Sequence, residues 1–205
     1  KRGVLSQFQE VEVKLYIPDL EMASARLVAA GAECTVPRVF ERNVRYENDL
    51  NSLTANGIVV RLRQDLRAKL TYKEPLPQIH DGLSTRFEAE VEVSDFDTMD
   101  LILKKLGYQP YMVYEKYRTT YVLDQAEIVL DEMPYGNFVE IEGPADDIRN
   151  MIDRLEFGHF PRYTVNYMTL FERVRDYLKI TPHDLTFSNF NGINVPADAF
   201  RMPNG

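Results

Sequence analysis

Glu10-Val11-Glu12-Val13-Lys14 is the stretch on which the reading of this chain turns. Side chains alternate across a β-strand, so Glu10, Glu12 and Lys14 share one face while Val11, Val13 and Leu15 share the other. The pattern returns as Glu88-Ala89-Glu90-Val91-Glu92. Each copy is followed by an acidic residue and then by an amphipathic stretch, Leu20 to Ala30 and Phe96 to Leu106, which ends at Gly31 or Gly107. Glycine just past a helix C-terminus supplies the left-handed backbone that stops the helix. The chain therefore reads as two similar halves, each a strand, a helix and further strands.

Outward from these copies, strand candidates are Val39 to Tyr46, Ile58 to Gln64, Lys69 to Lys73 and Thr85 to Val93, then Tyr114 to Leu123, Glu127 to Asp131 and Asn137 to Glu142. Asn56-Gly57, Pro75-Leu76-Pro77 and Pro134-Tyr135-Gly136 turn the chain between them. With the opening strand the count is about eight. Ala145 to Leu155 and Asn166 to Leu178 read as helices, the latter carrying Tyr167, Leu170, Phe171 and Val174 at helical spacing. The expected fold is α+β: an eight-stranded antiparallel β-barrel, a tunnel with helices packed outside. Residues 1–180 form this domain, and 181–205 are expected as a C-terminal tail, packed on the barrel or partly disordered.

Nearly every strand carries a charged pair on one face: Arg61 and Arg63, Lys69 and Lys73, Arg86 with Glu88, Glu90 and Glu92, Lys116 and Arg118, Glu140 and Glu142. Either these faces look into water around an apolar centre, or they look inward while helices cover the apolar faces. The second arrangement is costly unless the charges are paired or hold a metal. Segregation favours it: cations dominate the middle strands, and glutamates the first, fifth and last. Such a lining suits an anionic, metal-bound ligand. A triphosphate needs several cations, forked guanidinium contacts from Arg61, Arg63 and Arg118, and point charges from Lys14, Lys73 and Lys116. The accompanying Mg²⁺ or Mn²⁺ needs carboxylate oxygens, and relieves their mutual repulsion.

Composition narrows the function classes. The 205 residues suit one domain, and 44% hydrophobic with 27% charged residues is the balance of a folded chain, not a disordered one. No apolar run approaches the roughly 18 residues of a membrane span, and no charged-then-apolar leader is seen, so the expectation is a cytoplasmic protein with no membrane partner. Lys1 in place of Met suggests that the natural start lies upstream. A net charge of −8 argues against general nucleic-acid binding while leaving room for a local cationic pocket. The lone Cys34 rules out an internal disulfide. His80, His159 and His183 show no metal-ligand spacing and are expected in solvent-exposed loops. A homodimer is compatible with the sequence, which does not specify oligomeric state.

The ordered set Glu10, Glu12, Lys14; Arg61, Arg63; Lys73; Arg86, Glu88, Glu90; Lys116-Tyr117-Arg118; Asp131; and Gly136-Asn137-Phe138-Val139-Glu140-Ile141-Glu142-Gly143 resembles the CYTH domain, or triphosphate tunnel metalloenzyme, family. That family includes class IV adenylyl cyclases and thiamine triphosphatases. The resemblance spans about residues 7 to 175. It implies metal held by glutamates from opposite strands, here Glu10, Glu12, Glu140 and Glu142 with Glu88 or Glu90. Arg61, Arg63, Lys73, Lys116 and Arg118 would grip phosphate, joined by Arg86 and Lys69 unless these are rim charges. Lys14 either joins the grips or orients a glutamate. Glu10, Glu12, Lys14 and Asp131 are the candidate catalytic residues, with Asp131 steadying a basic residue or positioning water. Glu92 falls at the solvated mouth, and Arg45 either reaches substrate or makes a structural ion pair. Tyr167 and Phe171 cap the barrel by packing, with closure over the tunnel the alternative. The expected activity is metal-dependent hydrolysis of a small triphosphate. The alternatives are cyclisation of ATP to cyclic AMP and pyrophosphate, or non-catalytic binding of triphosphate or polyphosphate.

Overall fold

A computed structural model describes residues 8–77 and 82–201. The strands are β1 (Gln9–Tyr16), β2 (Glu33–Glu47), β3 (Val59–Gln64), β4 (Ala68–Pro75), β5 (Ser84–Val93), β6 (Gln109–Leu123), β7 (Ala126–Met133), β8 (Gly136–Glu142) and the two-residue β9 (Arg162–Tyr163). Helices are α1 (Leu20–Ala29), α2 (Ser52–Ala55), α3 (Phe96–Lys105), α4 (Ala145–Arg154) and α5 (Tyr167–Leu178). All strand pairings are antiparallel. The order β5-β4-β3-β2-β6-β7-β8-β1 closes on itself because β1 also pairs with β5, Glu10 lying opposite Arg86. Eight strands thus form a closed ring. The short β9 adds to β1 beyond the point where β5 leaves it, at Lys14 and Leu15.

The two halves repeat strand, helix, long strand and two further strands. Asp19 caps α1 by accepting from the Met22 N–H, and Asp95 caps α3 by accepting from the Thr98 N–H. Gly31 and Gly107 follow the helices at φ +89° and +92°, a conformation side chains with a Cβ rarely adopt. The long strands of the halves, β2 and β6, pair with each other. Both begin earlier than alternation predicts. Pro37 and register shifts between Cys34 and Val39 break the β2 pattern, and Pro110 sits near the start of β6.

Apolar outer faces lie under helices. Val13 and Leu15 of β1, Ile128 and Leu130 of β7, and Val139 and Ile141 of β8 are buried with Ala23 and Leu27 of α1 and Ile148, Met151 and Ile152 of α4. Each fully buried Leu or Ile here contributes about 1.5–3 kcal/mol. A second core forms where α5 and the last described segment meet Met112, Tyr135 and Phe138. In that segment Leu185 exchanges hydrogen bonds with Val113 O and Glu115 N, both 2.9 Å, along the part of β6 that β7 does not cover. Phe190 and Phe200 are buried beside it. With the outside so covered, the charged faces have only the interior left.

Candidate functional site

The inward faces enclose a cavity of about 560 Å³. Glu10, Glu12, Lys14, Arg61, Arg63, Lys69, Lys73, Arg86, Glu88, Glu90, Lys116, Arg118, Glu140 and Glu142 all line it. Asp131 is the one candidate that does not: it is fully buried in the wall behind Lys116 and Arg118. Glu92 lies outside the cavity, exposed and paired with Arg67 at 2.8 Å. His159 and His183 are exposed, and His80 lies outside the described residues.

The carboxylates divide into two kinds. Glu10, Glu12, Glu88 and Glu142, with Glu127 of β7, crowd together. Lys73 is the cation among them, its Nζ lying 2.8 Å from both Glu10 Oε1 and Glu88 Oε2. Burial, and then the neighbouring Glu12 and Glu88, push the Glu10 carboxyl up to about 8 against the pull of Lys73. Burial also opposes the charge of Glu88, but Lys73 and a hydrogen bond with Glu10 hold it below the ordinary range. Glu142, more exposed at the rim, is pushed up to about 7, first by desolvation and then by Glu88, Glu127 and Glu12, with Lys73 opposing. Among the described residues no three acidic, His or Cys side chains are arranged as a ready cage for an ion. The donor set nevertheless fits a hard divalent cation: it is all oxygen and crowded, and in Glu10 and Glu142 the crowding and burial disfavour the charge that a bound cation would stabilise.

Glu90 and Glu140, also expected as ligands, have different surroundings from the other four. Glu90 meets Lys69 at 2.8 Å, Arg63 at 3.4 Å and Arg61 at 3.5 Å. Burial opposes its ionisation, but Lys69, Arg63 and Arg61 outweigh it and draw the carboxyl down to about 2. Glu140 meets Lys14 at 2.8 Å and Arg118 at 2.9 Å, and although it too is desolvated, those cations hold it far below the ordinary range. Each is saturated by cations contributed by other strands. Lys14, 3.6 Å from Glu12, links this basic region to the acidic cluster.

At the basic centre lies Glu41, 2% exposed, on the β2 strand between three cations: Arg63 at 3.5 Å, Lys116 at 3.5 Å and Arg118 at 3.9 Å. Asp131 accepts from Lys116 Nζ (2.9 Å), from Arg118 Nε and Nη2 (2.7 and 2.6 Å) and from the Tyr167 hydroxyl (2.8 Å). Such a carboxylate orients two cations without facing the cavity. Tyr167, from the first turn of α5, lines the cavity as well as packing. Its ring centroid lies 4.5 Å from Lys14 Nζ and 5.5 Å from Lys116 Nζ. Phe171 remains in the second core.

Glu41, Glu127 and Tyr114 also belong to the interior, where strand alternation alone could have found them; Arg45, expected at substrate or in a structural ion pair, lines the cavity and makes no ion pair with the described residues. Glu41, Asn43 and Arg45 share parity on β2; Glu127, Val129 and Asp131 share it on β7. The charged outward neighbour Arg42 dilutes the signal at Glu41, and a single acid among cations of other strands has no motif of its own.

Comparison with known proteins agrees with this geometry. The model of the CYTH domain family matches residues 9–156. A protein of Methanocaldococcus jannaschii named "Putative adenylate cyclase" is 28% identical over 149 residues, covering 72% of this chain and 83% of that one. A solved structure from Vibrio parahaemolyticus, likewise named as an adenylate cyclase of the same standing, superposes with TM-score 0.67 at 18% identity, over 80% of this chain and 97% of the other. The Hippeastrum protein HpAC1, described as revealing a dominant triphosphatase activity, superposes with TM-score 0.60 at 16% identity, over 84% and 98%. The expected tunnel fold is thus found in proteins bearing both names. With the family model matched over most of its length, this chain belongs to the CYTH domain family.

Proposed function

We propose that this protein is a divalent-metal-dependent triphosphatase. It binds inorganic tripolyphosphate, or an organic or nucleoside triphosphate, in the tunnel and hydrolyses it. The observation that carries this reading is the polarity inside the cavity: five crowded acids, of which Glu10 and Glu142 resist ionisation, beside an array of guanidinium and ammonium groups. Arg61, Arg63, Lys116 and Arg118, with Lys14, Lys69, Lys73 and Arg86, would bind phosphate oxygens by exchanging carboxylate partners for phosphate ones. Asp131 and Glu41 hold Lys116 and Arg118 in place during that exchange. Glu10, Glu12, Glu88 and Glu142, with Glu127, would hold Mg²⁺ or Mn²⁺. Such an ion, when bound, neutralises charge and polarises a phosphoryl oxygen as a Lewis acid. In the hydrolysis, water adds to the terminal phosphorus and its bond to the bridging oxygen breaks, giving phosphate and a diphosphate.

A second reading has support from the names of the relatives: attack of the ATP ribose 3′-hydroxyl on the α-phosphorus, releasing pyrophosphate and cyclic AMP. It uses the same cations and acids. A purely binding role is disfavoured by the acidic cluster, which a phosphate-binding module does not need. Product analysis tests the proposal: pure protein with tripolyphosphate, or with ATP, plus Mg²⁺ or Mn²⁺, followed by separation of products. Orthophosphate release supports it. Cyclic AMP with pyrophosphate replaces it with the cyclase, and binding without turnover replaces it with the binder.

A further inference from the structure

Most of the cations lining the cavity are already engaged with acids. Lys14, Arg61, Arg63, Lys69, Lys73, Lys116 and Arg118 each lie within 4.0 Å of a carboxylate. Arg45 and Arg86 are the exceptions among the described residues. Arg86 makes a single long contact, 3.5 Å to the Gly57 carbonyl. Arg45 is only 8% exposed, lines the cavity, and its Nε has no hydrogen-bond partner. The acid two residues along its own strand does not help. Glu47 is committed to the backbone N–H groups of Asn48, Leu53 and Thr54. Burial and the like charge of Arg86 both weigh against the cation, with Tyr114 and Glu47 only partly offsetting them.

A buried guanidinium without a partner destabilises the protein that carries it, and an incoming oxyanion gains the most where no existing pair must be broken. Arg45 lies directly across the β2–β3 pair from Arg61, on the same inward face, so such a subsite is continuous with the phosphate-binding array. Its strand neighbour Asn43 is also fully buried with neither amide atom partnered, which places further unused hydrogen-bonding capacity on the same face.

We infer that Arg45, with Arg86 beside it, forms an oxyanion subsite at the edge of the array, free of competing carboxylates, that takes one phosphate group of the ligand and sets affinity for it. The inference rests on the triphosphate reading of this cavity. The test is thermal unfolding of wild type, Arg45→Met and Arg45→Lys across a titration of tripolyphosphate, with and without Mg²⁺. Without ligand, Arg45→Met should unfold at or above the wild-type temperature, since an uncompensated charge has been removed. It should need roughly ten- to hundredfold more tripolyphosphate for the same upward shift, the worth of one charge-assisted contact pair. Arg45→Lys should lose less. A wild-type dose response in Arg45→Met would overturn the inference and leave the triphosphate reading intact. So would ligand-free unfolding well below wild type, or failure of Arg45→Met to fold while Arg45→Lys binds normally, because Arg45 would then be structural. If tripolyphosphate fails to shift even the wild type, with or without Mg²⁺, the triphosphate reading falls and this inference with it.

Discussion

Replacing Glu41 with Gln removes the acid at the centre of the basic region and nothing else of comparable size. Burial opposes the charge of Glu41, yet Lys116, Arg118, Arg63 and Arg61 together overcome it and draw the carboxyl from the ordinary 4.5 down to about 2. A displacement of that size corresponds to about 3 kcal/mol of folding free energy at neutral pH. The side chain is 2% exposed, so solvent screening takes little away. Because the folded-state pKa lies below the unfolded one, the contribution is fully present above about pH 4.5 and is lost as pH falls toward 2. Glu41→Gln should therefore be less stable by about 3 kcal/mol at pH 7, and the gap from wild type should close on acidification through that window. Urea unfolding of both proteins at several pH values between 7 and 3 measures this. Low-pKa acids that share no cation with Glu41, such as Glu47, cancel in the difference. Equal stability at pH 7, or a gap that does not narrow at low pH, would refute the assignment of Glu41 as the hub of the basic centre.

Asp131→Asn should cost about 3–5 kcal/mol, because it removes the fully buried carboxylate charge that accepts from Lys116, Arg118 and Tyr167, and denaturant titration would show it. Glu12→Gln should raise the Mn²⁺ concentration needed for half-maximal turnover, whereas Glu140→Gln, whose partners are Lys14 and Arg118, should act chiefly on triphosphate affinity. Metal titrations of steady-state activity separate the two, and a larger metal effect for Glu140 would reverse the division of the carboxylates. Ile152→Ala, which empties space between α4 and the outer face of the sheet, should lose about 2–4 kcal/mol without altering triphosphate affinity.

Alternation and the repeated Glu-x-Glu strand made the ring and most of its lining legible, because a strand's period is short enough to be read from five residues. The division among the glutamates was not legible. Glu88 and Glu90 are indistinguishable by parity, and only the cross-strand register puts Lys73 opposite Glu88, and Thr71, with Arg61 nearby, opposite Glu90. Asp131 has the parity of a lining residue but is held behind Lys116 and Arg118 by Tyr167, which arrives from a helix distant in sequence. The packing of Leu185, Phe190 and Phe200 was likewise hidden. Leu185 lies in an extended stretch and Phe190 and Phe200 end single 3-10 turns, all too short for a readable period, and their place depends on the stretch of β6 that β7 leaves uncovered.

The proposed activity requires an anionic ligand and its metal ion inside the ring of strands. A crystal structure grown with tripolyphosphate and Mn²⁺, with anomalous data collected for manganese, tests that directly. The expected map has the manganese peak against Glu10, Glu12 and Glu88 and phosphate density against Arg61, Arg63 and Arg118. Manganese or phosphate bound only on the outer surface, with the tunnel charges still paired to one another, would contradict it.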